Sequence, residues 1–219
     1  MEKERQILKE GLDELGIDPT AEVLDQFDIY LRELKKWNKA YNLTAITDDR
    51  DIVIKHFLDS LLYLKAIPEG PLTLCDVGTG GGFPGIPIAI VRPDLLITLL
   101  EPSRKKIAFL RQLRRLLSLQ NIEILGFRAE ELVDSQFDVI VTRATFSISN
   151  LLTKAGHVMK AGGVFILNKG PKFEEEVGKL PGSVHYEVIR VSLVKTQLTR
   201  NLIRVSSPAT QVPEKLTFS

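Results

Sequence analysis

Residues 76–85 read DVGTGGGFPG, and this segment is the strongest indication of the fold. An apolar run, LTLCDV (72–77), precedes it and predicts a strand, and a helical pattern follows over 84–91. Glycines permit positive φ angles and let a ligand approach the backbone closely. A glycine-rich turn between a strand and a helix is typical of nucleotide-binding loops. We therefore expect this loop to bind a nucleotide.

An acidic residue at the end of the next predicted strand supports this interpretation. Glu101 ends LLITLLE (95–101), which repeats the form of the first strand. An acid at this place can accept hydrogen bonds from both ribose hydroxyls of a bound nucleoside. The alternative is a glycine-rich turn without a ligand, which leaves the coincidence of strand, loop and acid unexplained.

Two cofactor classes fit the glycines. Gly80, Gly82 and Gly85 match G-x-G-x-x-G, which favours a dinucleotide such as NAD. The same loop also matches D-x-G-x-G-x-G, which resembles the first motif of S-adenosylmethionine-dependent methyltransferases. The residues in that second register are Asp76, Gly78, Gly80 and Gly82.

Strand-like and helix-like patterns alternate through the rest of the chain. Further strands are predicted at 122–127, 137–142 and 162–169, and helices at 103–118 and 147–160. Near-continuous apolar strands separated by helices predict a mostly parallel α/β sheet covered on both faces. The last two strands, 186–193 and 201–207, have no helix between them and predict an antiparallel hairpin. This hairpin favours a Rossmann-like class I methyltransferase over a dinucleotide enzyme.

The N-terminal part predicts helices. Apolar residues over 23–37 recur every three or four positions, and Asp18 is predicted as the N-cap with Pro19 in the first turn. A third helix is predicted to begin near Asp48 or Asp49. We therefore expect a helical extension over residues 1–68 and a methyltransferase domain over 69–219.

Composition excludes several classes of protein. Lys and Arg total 29 against 28 Asp and Glu, so the net charge of +1 argues against a strongly basic nucleic-acid domain. One cysteine permits no internal disulfide, and three histidines argue against a zinc site. No apolar run reaches membrane-spanning length, and the densely charged first ten residues lead us to expect no secretory leader. We expect a cytoplasmic monomer without a metal or a membrane partner.

The predicted helix over 103–118 carries an uncompensated positive charge. No acidic residue occurs from 102 to 121, and three arginines fall within one narrow arc of the helix: Arg104, Arg111 and Arg115. The opposite arc is apolar. A solvated helix face is the ordinary interpretation of such a run, but we expect these arginines to contact RNA phosphate.

Other polar residues follow the predicted strands. The segment 128–130 lies at the carboxyl edge of the sheet, where its backbone can meet an adenine edge. An arginine at the end of an apolar strand needs a partner, and for Arg143 we favour a ligand over a structural ion pair. Lys169 fits a surface turn and a site equally, and His56 is predicted to be a hydrogen-bonded core residue.

The chain resembles the bacterial GidB/RsmG family of ribosomal RNA small subunit methyltransferases over nearly its whole length. The motifs that carry the resemblance are YNLTAI (41–46), HFLDSL (56–61), DVGTGGGFPGIPIAI (76–90), LLEPSRKKIAFL (99–110), RAEE (128–131), TRA (142–144) and NKG (168–170). The departures are mild: Glu101 stands where Asp is also usual, and Thr142 where many relatives have Ser.

The resemblance implies a class I fold and methylation of guanine N7 in 16S rRNA with S-adenosylmethionine as the methyl donor. It implies cofactor contacts at Gly78, Phe83, Glu101, Ala129, Glu130 and Arg143. Simple packing is the alternative role for the ring of Phe83. The expected partner is 16S rRNA or the small ribosomal subunit, and the sequence indicates neither which of these is the substrate nor which residues hold the guanine.

No general base is expected, because guanine N7 has a lone pair and no proton to remove. We therefore assign no catalytic residue. A cation at N7 would oppose formation of the cationic product, so we assign Arg143 to the cofactor or to positioning. The alternatives are an NAD-dependent oxidoreductase and a non-catalytic RNA-binding or ribosome-assembly module.

Overall fold

The computed structural model describes residues 2–133, 135–143, 146–170 and 173–206, and Ala144 and Ser207, which belong to predicted motifs, lie outside these ranges. The strands are β1 (Thr73–Val77), β2 (Leu96–Leu100), β3 (Ile122–Leu125), β4 (Phe137–Thr142), β5 (Met159–Lys169), β6 (His185–Leu193) and β7 (Leu198–Ser206). The α-helices are α1 (Glu2–Leu15), α2 (Ala21–Tyr41), α3 (Asp49–Ile52), α4 (Asp59–Leu61), α5 (Gly85–Val91), α6 (Arg104–Leu116), α7 (Ile148–Ala155) and α8 (Phe173–Val177).

All the described strands form one sheet in the order β3-β2-β1-β4-β5-β7-β6. The pairs among β1 to β5 are parallel, and β7 runs antiparallel between β5 and β6. The predicted parallel sheet with a final antiparallel hairpin is therefore confirmed. The strand order reverses between β1 and β4, which opens a crevice at the carboxyl ends of these strands.

Alternate strand residues face opposite cores. Leu74 and Leu99 belong to the core that contains α5, α6 and the N-terminal helices, whereas Cys75 and Leu100 face the core with α7 and α8. This burial on both faces explains why apolar residues occupy neighbouring positions along these strands. Since the N-terminal helices share a core with the sheet, they are fixed against it, and the domain boundary after residue 68 stays a prediction.

The start of α2 differs from the sequence prediction. The N-cap is Thr20 and not Asp18, because the Thr20 hydroxyl accepts a hydrogen bond from the Val23 backbone at 3.2 Å. Pro19 consequently precedes the cap and does not lie in the first turn. A threonine hydroxyl and an aspartate oxygen both suit an N-cap, so the sequence offers two closely spaced candidates.

The third helical segment begins at Asp49, where the sequence predicts its start, and its N-cap Asp48 accepts a hydrogen bond from the Asp51 backbone. It then widens into a π-helical segment over Val53–Leu58, between α3 and α4, and ends as a 3₁₀ turn over Leu62–Lys65. In the wider turn all residues but Lys55 are buried. Both His56 and Phe57 thereby contact the Phe83 ring of the glycine loop, which a regular helical period does not predict.

Candidate cofactor site

The loop after β1 wraps over the end of β2. The backbone N–H groups of Gly78 and Thr79 both donate to the Leu100 carbonyl, at 3.0 and 3.1 Å. Gly80 has a φ of +60°, and a Cβ built there would have only the Gly78 carbonyl within 4 Å, at 3.9 Å. The backbone at Gly80 is therefore open to a ligand. At Gly82 the φ is +96° and a Cβ would lie 2.7 Å from Ile86 and Tyr30, so glycine is required for packing.

Asp76 links the beginning and the end of this loop by hydrogen bonds. Its Oδ2 accepts hydrogen bonds from the Thr79 hydroxyl at 2.6 Å and from the Gly85 backbone at 2.8 Å. Its Oδ1 is buried without a hydrogen-bond partner among the described residues. Burial raises the pKa of Asp76 to about 6, although the two hydrogen bonds oppose that rise. The observed role of Asp76 is to shape the loop, and a direct contact with a cofactor stays a prediction.

Glu101 connects β2 with the glycine loop. One carboxylate oxygen accepts from the Gly80 backbone at 3.0 Å, and the other accepts from the Ser103 backbone at 2.9 Å. The residue is 4 % exposed, and the Lys106 ammonium lies 3.7 Å from it. A carboxylate has about four acceptor positions, so these bonds leave capacity for further donors such as ribose hydroxyls.

A cavity of about 300 Å³ opens beside Glu101 at the carboxyl edge. Four residues predicted for the cofactor line it together: Gly78, Glu101, Ala129 and Glu130. The structure thus brings together residues from three loops that are far apart in sequence. A pocket at this switch point is where open α/β sheets bind nucleotides.

Other residues that line this pocket were not among the sites predicted from the sequence. They include Lys106, Phe127, Phe146 and Lys154. Lys154 forms an ion pair with Glu130, and its hydrogen bond lowers the pKa of that carboxyl. Phe127 is exposed although it ends an apolar run, and that position after a strand is the one sequence signal that points to it.

The Phe83 ring is part of an aromatic cluster and does not line the pocket. Its centroid is 5.3 Å from that of Tyr30 and 4.5 Å from that of His56, and both pairs are stacked. The ring is 5 % exposed. The structure therefore shows a packing role for this ring, which is the alternative that the sequence left open. The cofactor contact implied by the resemblance stays a prediction.

Arg143 is enclosed by groups of the N-terminal helical segment. Its guanidinium donates to Asp59 at 3.2 Å, to the Lys55 carbonyl at 3.2 Å and to His56 Nδ1 at 2.8 Å. It also lies 5.0 Å from the centroid of the Phe83 ring. The structure therefore shows a structural ion pair, which is the alternative to the ligand contact favoured by the sequence. Cofactor binding by Arg143 remains a prediction, and it does not line the pocket described above.

His56 is the hydrogen-bonded core histidine that the sequence predicts. Burial, and then the charge of Arg143, lower its pKa to about 3. The ring is therefore neutral at physiological pH. Because Nδ1 accepts from Arg143, the proton lies on Nε2, which donates to the Thr44 hydroxyl at 2.7 Å. This histidine connects the end of β4 with the loop after α2.

Lys169 is a structural contact. Its ammonium donates to the Phe146 carbonyl at 2.5 Å and pairs with Glu176 at 2.9 Å. Phe146 lines the cofactor pocket, so Lys169 supports one of its walls. The sequence favours a surface turn and a site equally at Lys169, and the observed contacts of its side chain are with the protein itself.

The arginines predicted to bind RNA are exposed on α6. Arg104, Arg111 and Arg115 point away from the packed face, which contains Phe109 and Leu113. Arg115 donates to Gln112 at 2.8 Å, and neither Arg104 nor Arg111 has an ion pair within the described ranges. The surface that the hypothesis requires is present, and contact with RNA stays a prediction.

Two kinds of feature are absent from the described residues. No cluster of three or more His, Cys, Asp or Glu residues with metal-binding geometry occurs among them. None of the helices in this part of the chain is long and apolar enough to cross a membrane.

Solved structures of other proteins share the fold of this chain. A methyltransferase from Pyrococcus furiosus has a TM-score of 0.57 at 18% identity, covering 81% of this chain and 96% of that one. A coclaurine N-methyltransferase bound to N-methylheliamine and SAH has a TM-score of 0.50 at 17% identity, covering 75% of this chain and 56% of that one. These likenesses confirm the class I methyltransferase fold.

Sequence similarity identifies the family as well as the fold. The chain is 42% identical over 188 residues to the ribosomal RNA small subunit methyltransferase G of Neisseria meningitidis serogroup B, covering 86% of this chain and 89% of the relative. Residues 23–203 match the GidB family, described as rRNA small subunit methyltransferase G. With this match across most of the chain, and with a glycine loop, acid and pocket of the expected form, the protein belongs to the GidB family of ribosomal RNA small subunit methyltransferases.

Proposed function

We propose that this protein transfers the methyl group of S-adenosylmethionine to N7 of a guanine in 16S rRNA. The observation that carries the proposal is the pocket shared by Gly78, Glu101, Ala129 and Glu130 in a chain of this family. The named relative acts on ribosomal RNA, and a structural neighbour binds SAH, which is the product left after S-adenosylmethionine gives up its methyl group.

The residues at the pocket fit this cofactor. Glu101 is a buried carboxylate with spare acceptor positions, as a ribose diol requires. The backbone at Gly80 is open where a Cβ would project, and Asp76 Oδ1 is a buried acceptor without a partner in the described part of the chain. Glu101 and the 129–130 segment would hold the nucleoside, and the glycine loop would hold the remainder.

The cofactor supplies a methyl group that is activated by a sulfonium. The lone pair of guanine N7 would take up this methyl group as the C–S bond breaks and its electron pair goes to sulfur, so the positive charge would pass to the base. No proton has to be removed, so the task of this chain is orientation of the two reactants. Asp76 holds the glycine loop in place, and the hydrogen bond from the Gly80 backbone to Glu101 joins that loop to the carboxylate. Both contacts serve the orientation of the reactants.

The arginine stripe of α6 is proposed to hold the RNA backbone. Arg104, Arg111 and Arg115 form an exposed face without acidic neighbours along the helix. Basic groups of this kind bind phosphate irrespective of sequence. We extend the proposal to a cytoplasmic monomer that uses no metal ion.

A methyl-transfer assay tests the proposed function. Purified protein is incubated with labelled S-adenosylmethionine and, separately, with 30S subunits, protein-free 16S rRNA and tRNA. Labelled 7-methylguanosine is expected in digests of one or both ribosomal substrates, and tRNA is expected to stay unlabelled. Absence of 7-methylguanosine from both ribosomal substrates, with a protein that binds S-adenosylmethionine, would contradict the proposal.

A further inference from the structure

Two segments of this chain contain basic residues and no acidic residue. They are residues 34–47, at the end of α2 and in the loop after it, and residues 102–121, which include α6. Together they contain nine Lys and Arg residues, whereas the rest of the chain contains 20 against 28 Asp and Glu residues. The net charge of +1 therefore combines two basic segments with an otherwise acidic chain, and the field of such a protein orients a polyanion toward its basic part.

The fold packs these two segments against each other. The centroid of the Trp37 ring on α2 lies 5.7 Å from that of Phe109 on α6 and 5.4 Å from that of Tyr41. The Lys105 ammonium lies 5.7 Å from the centroid of the Tyr41 ring. Tyr41 at the end of α2 and Lys105 at the start of α6 therefore share one surface.

Tyr41 presents an aromatic ring on this surface. The residue is 42 % exposed even with Lys105 beside it, whereas Tyr30 and Tyr63 are buried and donate their hydroxyls to backbone carbonyls. Its contact with Trp37 holds the ring in place, so little ordering is needed when a ligand stacks on it. A fixed aromatic ring beside basic groups is the arrangement with which proteins bind unpaired nucleotides.

The first turn of α6 connects this surface with the cofactor pocket. Lys106 lines the pocket and lies 3.7 Å from Glu101, while Lys105, the residue before it, lies beside Tyr41. Arg104 begins the arginine stripe at the same turn. Within the described ranges Lys105 has no ion pair, so its ammonium is available to a phosphate. An RNA strand that follows the stripe toward the cofactor therefore passes close to Tyr41.

We propose that an unpaired nucleotide of the RNA stacks on Tyr41, with a neighbouring phosphate on Lys105. This nucleotide is not the methylated guanosine, because Tyr41 does not line the cofactor pocket. The flexible Lys105 side chain moves its ammonium from the ring to the phosphate when the base stacks. The proposal rests on the proposed function and adds a contact that positions the RNA without selecting a base, since every base has a π-face.

Three variants of Tyr41 test the stacking contact by their affinity for 30S subunits and for protein-free 16S rRNA. Tyr41→Ala is expected to bind about tenfold more weakly than wild type, and Tyr41→Phe, which keeps the ring, within about twofold of it. Tyr41→Leu keeps an apolar side chain against Trp37 without a π-face and should resemble Tyr41→Ala. The matched control is Tyr186→Ala, which removes an exposed tyrosine of β6. Equal affinities of Tyr41→Leu and Tyr41→Phe would overturn the proposal.

The salt dependence of RNA affinity separates stacking from the phosphate contact. Tyr41→Ala should lower the affinity by the same factor at every salt concentration, because a stacked base releases no counterion. Lys105→Gln should flatten the slope by about 0.7 for one single-strand phosphate. Lys9→Gln is the control, because Lys9 is exposed on α1, outside both basic segments. Equal slopes for Lys105→Gln and Lys9→Gln would contradict the role of Lys105.

These affinities do not depend on methyl transfer, so the two proposals fail in different ways. A wild-type protein that binds rRNA through Tyr41 and forms no 7-methylguanosine would contradict the proposed function alone. A wild-type protein that methylates, with a Tyr41→Ala variant that binds RNA as tightly as Tyr186→Ala, would overturn the stacking contact alone. Thermal stability and S-adenosylmethionine affinity are expected to match wild type in all variants, and a parallel loss of both in Tyr41→Ala and Tyr41→Leu would show a structural role for Tyr41 instead.

Discussion

At the ends of β1 and β2 the carboxylate of Glu101 borders an open pocket, whereas at the end of β4 the guanidinium of Arg143 is enclosed by protein groups. Both residues follow apolar strands, and the sequence predicts that both bind the cofactor. The Glu101 carboxylate has acceptor capacity left, while Arg143 already has Asp59, His56 and a backbone carbonyl as partners. A charged residue at a strand end therefore signals a need for a partner and does not identify that partner.

The N-terminal helical segment causes the difference. It brings Asp59 to the β4 end, where this buried carboxylate also pairs with Arg200 at 2.6 Å and contacts Asn168 at 3.4 Å. Burial raises the pKa of Asp59, and the two arginines oppose that rise. Helices that cover one half of the crevice thus leave the other half open for a ligand.

The strongest test of this contrast is Arg143→Ala. We expect the free energy of unfolding to fall by about 3 kcal/mol, because the variant leaves a buried carboxylate with one arginine and His56 without its donor. Affinity for S-adenosylmethionine should stay within about twofold of wild type. Urea unfolding and calorimetry measure the two quantities, and Arg32→Ala serves as an exposed control. A large loss of affinity in a stable variant would instead support cofactor binding by Arg143.

The enclosed cluster also predicts acid sensitivity. The pKa of His56 is about 3 in the folded protein, below its ordinary value, so the unfolded chain binds the proton first as the pH falls. Stability from the neutral ring is therefore present above the ordinary histidine pKa and is lost on acidification. Relative to a His56→Gln variant, the wild type should lose about 2–3 kcal/mol between roughly pH 6.5 and pH 4.5.

The comparison with His56→Gln is needed because Asp76 titrates with the opposite sign. Its pKa is raised to about 6, so between its ordinary value and that pH the folded protein binds more protons and gains stability on acidification. Unfolding at several pH values measures the difference between the two proteins. Identical pH dependence would show that the histidine is not held neutral by its surroundings.

On the open side, Glu101→Ala tests the ribose interaction. Without the carboxylate, the ribose diol has no acceptor at this buried site, so S-adenosylmethionine binding should weaken by about 1–3 kcal/mol, roughly one to two decades in affinity. Glu123→Ala on β3 is the control, because that glutamate is exposed. The affinities are compared by calorimetry, and an unchanged value for Glu101→Ala would refute the assignment.

The smallest expected effect is on the α6 surface. The double variant Arg111→Gln and Arg115→Gln should flatten the salt dependence of RNA affinity by about 0.7 for each arginine that binds a single-strand phosphate in the wild type. Cofactor affinity and thermal stability should not change, since both side chains lie outside the packed face. RNA affinities at several salt concentrations provide the measurement, and arginines that are merely solvated would leave the slope as it is in wild type.

Much of this protein is encoded locally. The alternation of strand and helix, the glycine loop at 76–85, the acid at 101 and the exposed arginines of α6 follow from short patterns, because each depends on neighbours within a few residues. The ends of elements are less predictable: the cap at Thr20 competes with Asp18, and β5 begins at Met159, before the predicted start at residue 162.

The partners of the site residues depend on the tertiary structure. No local pattern indicates that Asp59 meets Arg143, that Lys154 pairs with Glu130, or that Phe83 stacks on Tyr30. These contacts join segments distant in the chain, and those of Arg143 and Phe83 exist only once the N-terminal helices pack on the sheet. Short patterns were enough to establish the loop, the acid and the family. The tertiary structure decides which charged groups have partners within the protein and which face an open cavity. This depends on long-range packing and not on periodicity.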